Sequence, residues 1–327
     1  MELRQLKYFI AVADCGSLSR AAKRLFIAQS ALSQQMLQLE EMLKVPLFFR
    51  SPKGVTLTES GQAFYEHARA IMRQVNDAKA AALQPLADAP AGSVIIGIPP
   101  SVSDALALPL YQRARECFPR VEIVFAEELT GNLIEQLRQG RLTLAFLFDD
   151  GQLDEFWRKD LVAERLHLIS RAQPGQVLEA EIGLREALQA PLILPSQEHG
   201  VRQRIERVAQ QYEIHSHKEV AEINPLNILR SAVIAGLGST ILPLAPMQAA
   251  LDAGMLVAQE IREPELLRTI TVCASRNLPI TRATAAVSRL AVRLVRELCA
   301  SGQWRAARPI YHSGSLPEHC PRSPSVH

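Results

Sequence analysis

The chain has 327 residues, 48% of them hydrophobic, with a formal charge of only +2. That length predicts two or three domains with sizeable cores, and that charge excludes a global basic field. No apolar run is long enough to span a bilayer, polar residues interrupt the first twenty positions as no signal peptide would allow, and the five cysteines (15, 117, 273, 299, 320) form no CxxC pair, so a reduced, cytoplasmic setting without membrane contact is expected.

Charge is uneven along the chain. Residues 1–58 carry eight Lys or Arg against four acids, whereas the remaining 269 residues carry 28 against 30. A phosphate-bearing partner is therefore expected at the N-terminal end. Residues 2–15 read as a first helix, with Leu3, Leu6, Phe9, Ile10 and Ala13 along its apolar side. Gly16 ends it and Ser17 suits the cap of the next. Leu18, Ala21, Ala22 and Leu25 give the second helix its apolar face, and Phe26 and Ile27 form a turn. Residues 29–43 predict a longer helix with the stripe Leu32, Met36, Leu39 and Leu43. Its start is weak, because Ala28 cannot cap; packing, or Ser30 one turn later, must offset that. Its opening turns present Gln29, Ser30, Ala31, Ser33 and Gln34. Amides and hydroxyls on an exposed helix suit base edges and phosphates in a major groove.

Two short strand-like runs follow, at 47–50 and 55–57, around Ser51, Pro52, Lys53 and Gly54. Serine first, proline second and glycine fourth are type I turn preferences. Arg50 and Lys53 put cationic heads beside that turn, within reach of a phosphate or minor groove. A three-helix module that only packs or dimerises is the alternative, and it has no need of the wing's charge.

Thr58 is suited to cap another long helix, with Glu59 in its first turn. Phe64, Ala68, Ile71, Val75, Ala78 and Ala82 recur at heptad spacing. Such a seam packs on its own domain or, as favoured here, pairs with a second copy, because residues 85–92 (PLADAPAG) then break the helix. From residue 93 strands and helices alternate. Strands are expected at 94–98, 121–126, 142–148, 166–170, 192–194, 217–221, 239–242 and 270–274, and helices at 104–118, 133–139 and 281–299. This pattern implies a mainly parallel α/β fold. Within residues 224–243 (NPLNILRSAVIAGLGSTILP), Asn224 and Pro225 suit a helix start and Gly236 its end. Residues 303–327 hold four prolines with Ser, Gly and His, and disorder is expected there. The spacing of His312, His319, His327 and Cys320 fits no metal cage, so no metal or cofactor is expected.

The run from Arg4 to Gly61 resembles the DNA-binding module of LysR-type transcriptional regulators, from Leu6 and Phe9 to Leu57-Thr58-Glu59-Ser60-Gly61. Two positions depart from the common pattern: Ser30 stands where proline is usual, and Gln34 where arginine is frequent. They bear on the target sequence more than on DNA binding. The AQ-x-ALSQQ form resembles the nitrogen assimilation control subgroup, which implies control through protein abundance without an effector. The GLGSTILP run resembles the effector domain of the same family, so the resemblance covers roughly residues 1–300.

It implies an α+β chain: a winged helix-turn-helix domain (1–58), a linker dimerisation helix and hinge (59–91), and a regulatory domain (92–302). The last resembles a two-lobed type 2 periplasmic binding protein, with lobe I about 92–162 and 268–302 and lobe II about 163–267. The implied function is sequence-specific regulation at a dyad-symmetric promoter site on double-stranded DNA. The implied assembly is a homodimer or homotetramer, with RNA polymerase as a further partner. The rival reading is a small-molecule binding protein whose N-terminal module only oligomerises.

Ligands of parallel α/β domains sit beyond strand carboxyl ends, near helix starts. That rule selects Ser101 and Ser103, then Thr130 and Gly131, Phe148 as an apolar wall, the stretch with Ser196, His199 and Arg202, and Asn224. Free N–H groups at helix starts favour a small polar or anionic metabolite between the lobes. The resemblance singles out Ser101, Thr130 and Asn224. Serine, threonine and asparagine in such places are also plain helix caps. Enzyme readings lack support: there is no GxSxG elbow, Walker A loop, GxGxxG or HExxH. Glu198 and His199 alone would offer titratable groups to a cleft, and His215 and His217 lack a third ligand.

Overall fold

The computed structural model describes residues 1–51, 54–83, 89–149, 151, 153–175, 179–197, 199–214 and 218–311. Lys53, Glu198, His215, His217, residues 85–88 of the proline-rich linker and the tail from 312 onward lie outside these. The chain divides into two compact units, Met1–Asp88 and Ala89–His327.

The first unit runs α1 (Leu3–Cys15), α2 (Leu18–Leu25), α3 (Gln29–Leu43), the hairpin β1 (Phe48–Ser51) and β2 (Gly54–Leu57), and α4 (Glu59–Leu83). Phe9 is its centre. It is fully buried, with ring centroids 5.1 Å from Phe48 and 4.9 Å from Phe64, and that burial contributes roughly 1.5–3 kcal/mol over an exposed ring. Leu32, Met36 and Leu39 bring α3 onto the same core. Gly16 closes α1 in the left-handed region (φ 57°), and its carbonyl accepts from Val55 N at 3.0 Å, so the wing is tied to the first inter-helix turn. Thr58 Oγ1 accepts from Gly61 N (2.9 Å) and donates to Pro46 O (2.7 Å). At Gly61 a Cβ would lie 2.0 Å from Leu47 O, so only glycine permits this close approach. The heptad seam of α4 splits: Phe64 and Ala68 pack into this core, while Ile71 (38% exposed), Ala78 and Ala82 face outward.

The second unit continues with β3 (Gly92–Ile98), α5 (Pro100–Cys117), β4 (Val121–Glu127), α6 (Thr130–Arg138), β5 (Leu144–Phe148), β6 (Phe156–Arg165), β7 (His167–Arg171), β8 (Glu181–Gly183), α7 (Leu184–Ala187) and β9 (Pro191–Leu194). After these come α8 (Gly200–Gln211), β10 (Lys218–Glu222), α9 (Leu226–Ile234), β11 (Thr240–Leu242), α10 (Gln248–Asp252), β12 (Leu256–Glu263), β13 (Leu267–Ser275), α11 (Arg282–Ala300) and β14 (Ala307–Pro309). The described strands form a sheet of order β14-β6-β13-β5-β3-β4, another of order β11-β7-β12-β8, and the pair β10-β9, joined to β11 by a bridge between Leu192 and Ser239. One core draws on residues 94–162 and 270–304, the other on residues 166–266. The chain therefore crosses from one lobe to the other at β6–β7 and returns at β12–β13.

Three sequence expectations need correction. The sheets are mixed, not mainly parallel: β3 pairs in parallel with β4 and β5, but β13 runs antiparallel to both β5 and β6. Asn224 does not cap α9; Pro225 holds that place, and Asn224 Oδ1 accepts from Ser196 N at 2.8 Å. The segment after α11 is built into the fold through residue 311. Trp304 is buried, β14 pairs with β6, and Arg165 N and Ile310 N donate to Ala306 O and Leu161 O. One large indole in the core outweighs the local proline content.

Candidate nucleic-acid interface and ligand cleft

Phe26 ends α2 in the left-handed region (φ 56°), which turns the chain sharply into α3. The buried stripe of α3 then forces its other face outward. Gln29, Ser30, Ala31 and Gln34 are exposed and Ser33 is half-buried. No side chain caps α3, as the alanine before it dictates. Gln29 Oε1 instead accepts from Ser19 Oγ at 3.1 Å, which fixes the first turn of α3 to α2. Ser17 Oγ accepts from Arg20 N at 3.4 Å, so it serves the expected cap of α2.

Arg50 does not stand alone on the wing. Its Nη2 meets Glu40 Oε2 at 3.0 Å, while Glu40 Oε1 accepts from Leu47 N (2.8 Å) and Phe48 N (3.1 Å). Glu40 therefore docks the wing onto α3, and the Arg50 pair, partly exposed, is weak enough to exchange for a phosphate. The sequence reading passed over two residues here. Arg20 is exposed and donates from Nη2 to Cys15 O (2.5 Å), and Phe26 is 95% exposed at the turn. A positive-φ phenylalanine has no sequence signature, because glycine or asparagine is the usual choice there.

In the second unit a cavity of about 340 Å³ opens between the lobes, at the small end of the ~300–1,000 Å³ range of ligand pockets. Thr130 and Gly131 at the start of α6 and Phe148 at the end of β5 line one side. Gly200, Gln203, Arg204 and Arg207 of α8 line the other, and Leu267, Arg268 and Thr269 of the return strand close it. Of the residues expected at a ligand site, the structure brings Thr130, Gly131 and Phe148 to this cavity.

The other expected residues lie elsewhere. Ser101 and Ser196 are set back from the cavity, each with a buried Oγ that has no hydrogen-bond partner, and Ser103 is half-buried on α5. His199 caps α8, its Nδ1 accepting from Val201 N at 3.3 Å. Burial, and then the Arg268 charge, push His199 down to about 4. Arg202 points away, into ion pairs with Glu206 and with Glu219 (2.8 Å). Positions 200, 203, 204 and 207 share one helix face, and 202 lies on another; that spacing was the signal for the cavity wall.

Arg268 is the most constrained charge of the region. Its side chain is 3% exposed, its Nε donates to Glu164 Oε2 at 2.7 Å, and its guanidinium lies 4.2 Å from the Phe148 ring centroid. Trp304 Nε1 donates to the other Glu164 oxygen at 2.6 Å. Burial holds the Arg268 pKa below its ordinary value, with Glu164 opposing. Among the described residues no group of three or more His, Cys, Asp or Glu could hold a metal ion, and no helix is long and apolar enough to cross a membrane.

Comparison with known proteins gives a consistent result. The description "Bacterial regulatory helix-turn-helix protein, lysR family" matches residues 3–62, and "LysR substrate binding domain" matches residues 87–296. The nitrogen assimilation regulatory protein nac of Klebsiella aerogenes is 32% identical over 297 residues, covering 90% of this chain and 95% of that protein. Its namesake from Escherichia coli (strain K12) is 34% identical over 245 residues, covering 74% and 78%. The crystal structure of full-length CbnR complexed with its target DNA superposes with a TM-score of 0.66 at 22% identity, covering 90% of this chain and all of that one, a likeness of fold.

Proposed function

The chain belongs to the LysR-type transcriptional regulators, which are DNA-binding proteins with an effector-binding domain and not enzymes; from that premise we propose that it binds a dyad-symmetric promoter site as a homodimer or homotetramer and answers to a small polar or anionic effector between its lobes. The observation that carries the DNA reading is the outward polar face of α3 over the fully buried Leu32, Met36 and Leu39, beside a wing that Glu40 docks onto the same helix. Gln29, Ser30, Ser33 and Gln34 reach bases and phosphates, and Arg50 and Lys53 hold the flanking backbone. The outward half of the α4 seam supports pairing with a second copy. RNA polymerase contact and a cytoplasmic location go with the regulator role.

The test is capture of genomic DNA fragments by the purified full chain at two salt concentrations. Discrete peaks sharing a dyad-symmetric motif are expected, and uniform salt-sensitive binding would overturn sequence specificity. On the captured site, Gln29→Ala is expected to cost roughly 1–3 kcal/mol and relax specificity. Lys53→Ala should weaken all sequences alike and reduce the salt slope by about one ion. Equal loss on random DNA for Gln29→Ala would refute its assignment.

A further inference from the structure

Strand β6 is covered along only part of its outer edge. β14 pairs with Val162, Ala163 and Glu164, and Ile310 N donates to Leu161 O. No described strand pairs with that edge at residues 157–160, although β13 pairs with their other side. A strand edge of this kind offers N–H and C=O groups to another extended chain.

Helix α11 packs over β14 and β6 beside this edge, and its outward face is cationic. Arg289 and Arg293 are exposed one turn apart, and Arg296 follows one turn further on. The next residue, Glu297, turns toward α5 and pairs with Arg113 at 3.5 Å. Lys159 of β6 points to the α11 side, because it sits opposite Val272, whose side chain lies in the core beneath that helix. Among the described residues, no hydrogen bond or ion pair engages Lys159, Arg289 or Arg293. The nearby acids are engaged elsewhere. Asp160 accepts from Thr271 Oγ1 on the other face of the sheet, and Asp154 pairs with Arg158 at 3.1 Å.

An aromatic ring closes each end of this surface. The Arg276 guanidinium lies 4.8 Å from the ring centroid of Trp157, and that of Arg296 lies 5.0 Å from the ring centroid of Tyr311, which is 62% exposed. Stacking on a ring leaves the arginine charge in place. Tryptophan, tyrosine and arginine are also the side chains that concentrate binding energy at protein interfaces. From Arg289 to Arg296 the helix rises by roughly 10 Å. Residues 157–160 cover about the same length of strand, so a segment of about four residues on the edge would run under the whole cationic face.

We propose that the open edge of β6 and the outward face of α11 together dock an extended acidic segment of a partner protein. Its main chain pairs with residues 157–160, and its alternate carboxylates meet Lys159, Arg289 and Arg293. Carboxylates match the arginine fork in geometry as well as charge. A phosphate backbone would answer the charges but leave the strand edge unpaired, whereas an acidic peptide answers both. The chain's own residues 312–327 balance one acid, Glu318, against one base, Arg322, and so bring no complementary charge.

The experiment is calorimetric titration of the full chain with a synthetic octapeptide of alternating glutamate and threonine. Its controls are the glutamine counterpart and the same peptide N-methylated at every threonine. The glutamate peptide is expected to bind at least tenfold more tightly than either control. Arg289→Gln combined with Arg293→Gln should remove that preference. Both side chains stand in solvent, so the melting curve of the double variant should match the parent. Equal binding of the glutamate and glutamine peptides, no binding at millimolar concentration, or full binding by the double variant would each overturn the proposal. Equal binding of the N-methylated peptide would refute pairing at the strand edge. If a single-stranded hexanucleotide binds more tightly than the peptide, and the double variant loses it, the partner is a nucleic acid and the proposal fails. If cutting the chain after residue 311 raises peptide affinity tenfold, the surface is the seat of the chain's own tail instead.

Discussion

Replacing Glu164 by glutamine tests the most consequential contact in the second unit. Glu164 is 1% exposed, and so is Trp304; Arg268 is 5% exposed. One carboxylate oxygen serves the Trp304 indole and the other serves Arg268. Glutamine keeps the shape, but its amide nitrogen must replace one of those oxygens and then faces another donor. The Arg268 charge is also left buried and uncompensated. Breaking a buried pair from one side costs about 3–5 kcal/mol. At about 2–4 °C per kcal/mol for a unit of this size, the melting temperature should fall by roughly 6–20 °C. Both tryptophans of the chain, Trp157 and Trp304, belong to this unit, so fluorescence-detected urea unfolding of the full chain reports it selectively. The double variant Glu164→Leu with Arg268→Met, which removes both charges, should be far less destabilised than Glu164→Gln alone. A loss below about 1 kcal/mol for Glu164→Gln, or a double variant weaker than the single one, would refute the reasoning.

His199 gives a pH dependence with a definite sign. Its native pKa is pushed down to about 4, against about 6.5 in an unfolded chain. Its contribution is therefore complete above pH 6.5, falls as pH drops below that, and is exhausted below about pH 4. Linkage sets its size at about 3 kcal/mol, about 2 kcal/mol of which is gone by pH 5. His199→Asn keeps a cap for α8 but does not titrate, so its unfolding free energy should change less between pH 7 and pH 5 by about that amount. Equal pH dependence in both proteins would count against a buried neutral imidazole. At Gly61, alanine would ordinarily favour a helix by about 1 kcal/mol. Here its Cβ meets Leu47 O, so Gly61→Ala should lower the melting temperature of the first unit by circular dichroism and weaken DNA binding; a rise would show that the two backbones are not so close.

Where a single period dominated, the sequence was readable. Leu32, Met36 and Leu39 define α3 and its outward face without help from tertiary structure, and residues 94–98 read as a buried strand because both faces are covered. β6 was missed because Trp157, Arg158, Lys159 and Asp160 look like a loop; they are tolerated in a strand through contacts made far along the chain, such as Thr271 Oγ1 to Asp160 Oδ1 (2.7 Å). The cleft was half-legible. The strand-end rule found Thr130, Gly131 and Phe148, but α8 was not foreseen as a helix, so Arg202 was chosen in place of Arg204 and Arg207. Nothing local pairs Glu164 with Arg268 and Trp304; only the register of β6 with β13, and the return of the chain after α11, bring them together.

The short strand β14 has a consequence for how the molecule tolerates trimming. It occupies the outer edge of the six-stranded sheet, and without it β6 would present a row of unpaired N–H and C=O groups around Val162, Ala163 and Glu164. Exposed edges of that kind recruit strands from other copies. β14 itself is a poor template, since it is three residues long and ends in Pro309, which has no N–H to offer. The segment thus acts as a sealing strip as well as an anchor for Trp304. A chain cut after α11 should fail by clumping at its sheet edge, whereas one cut after residue 311 retains the strip.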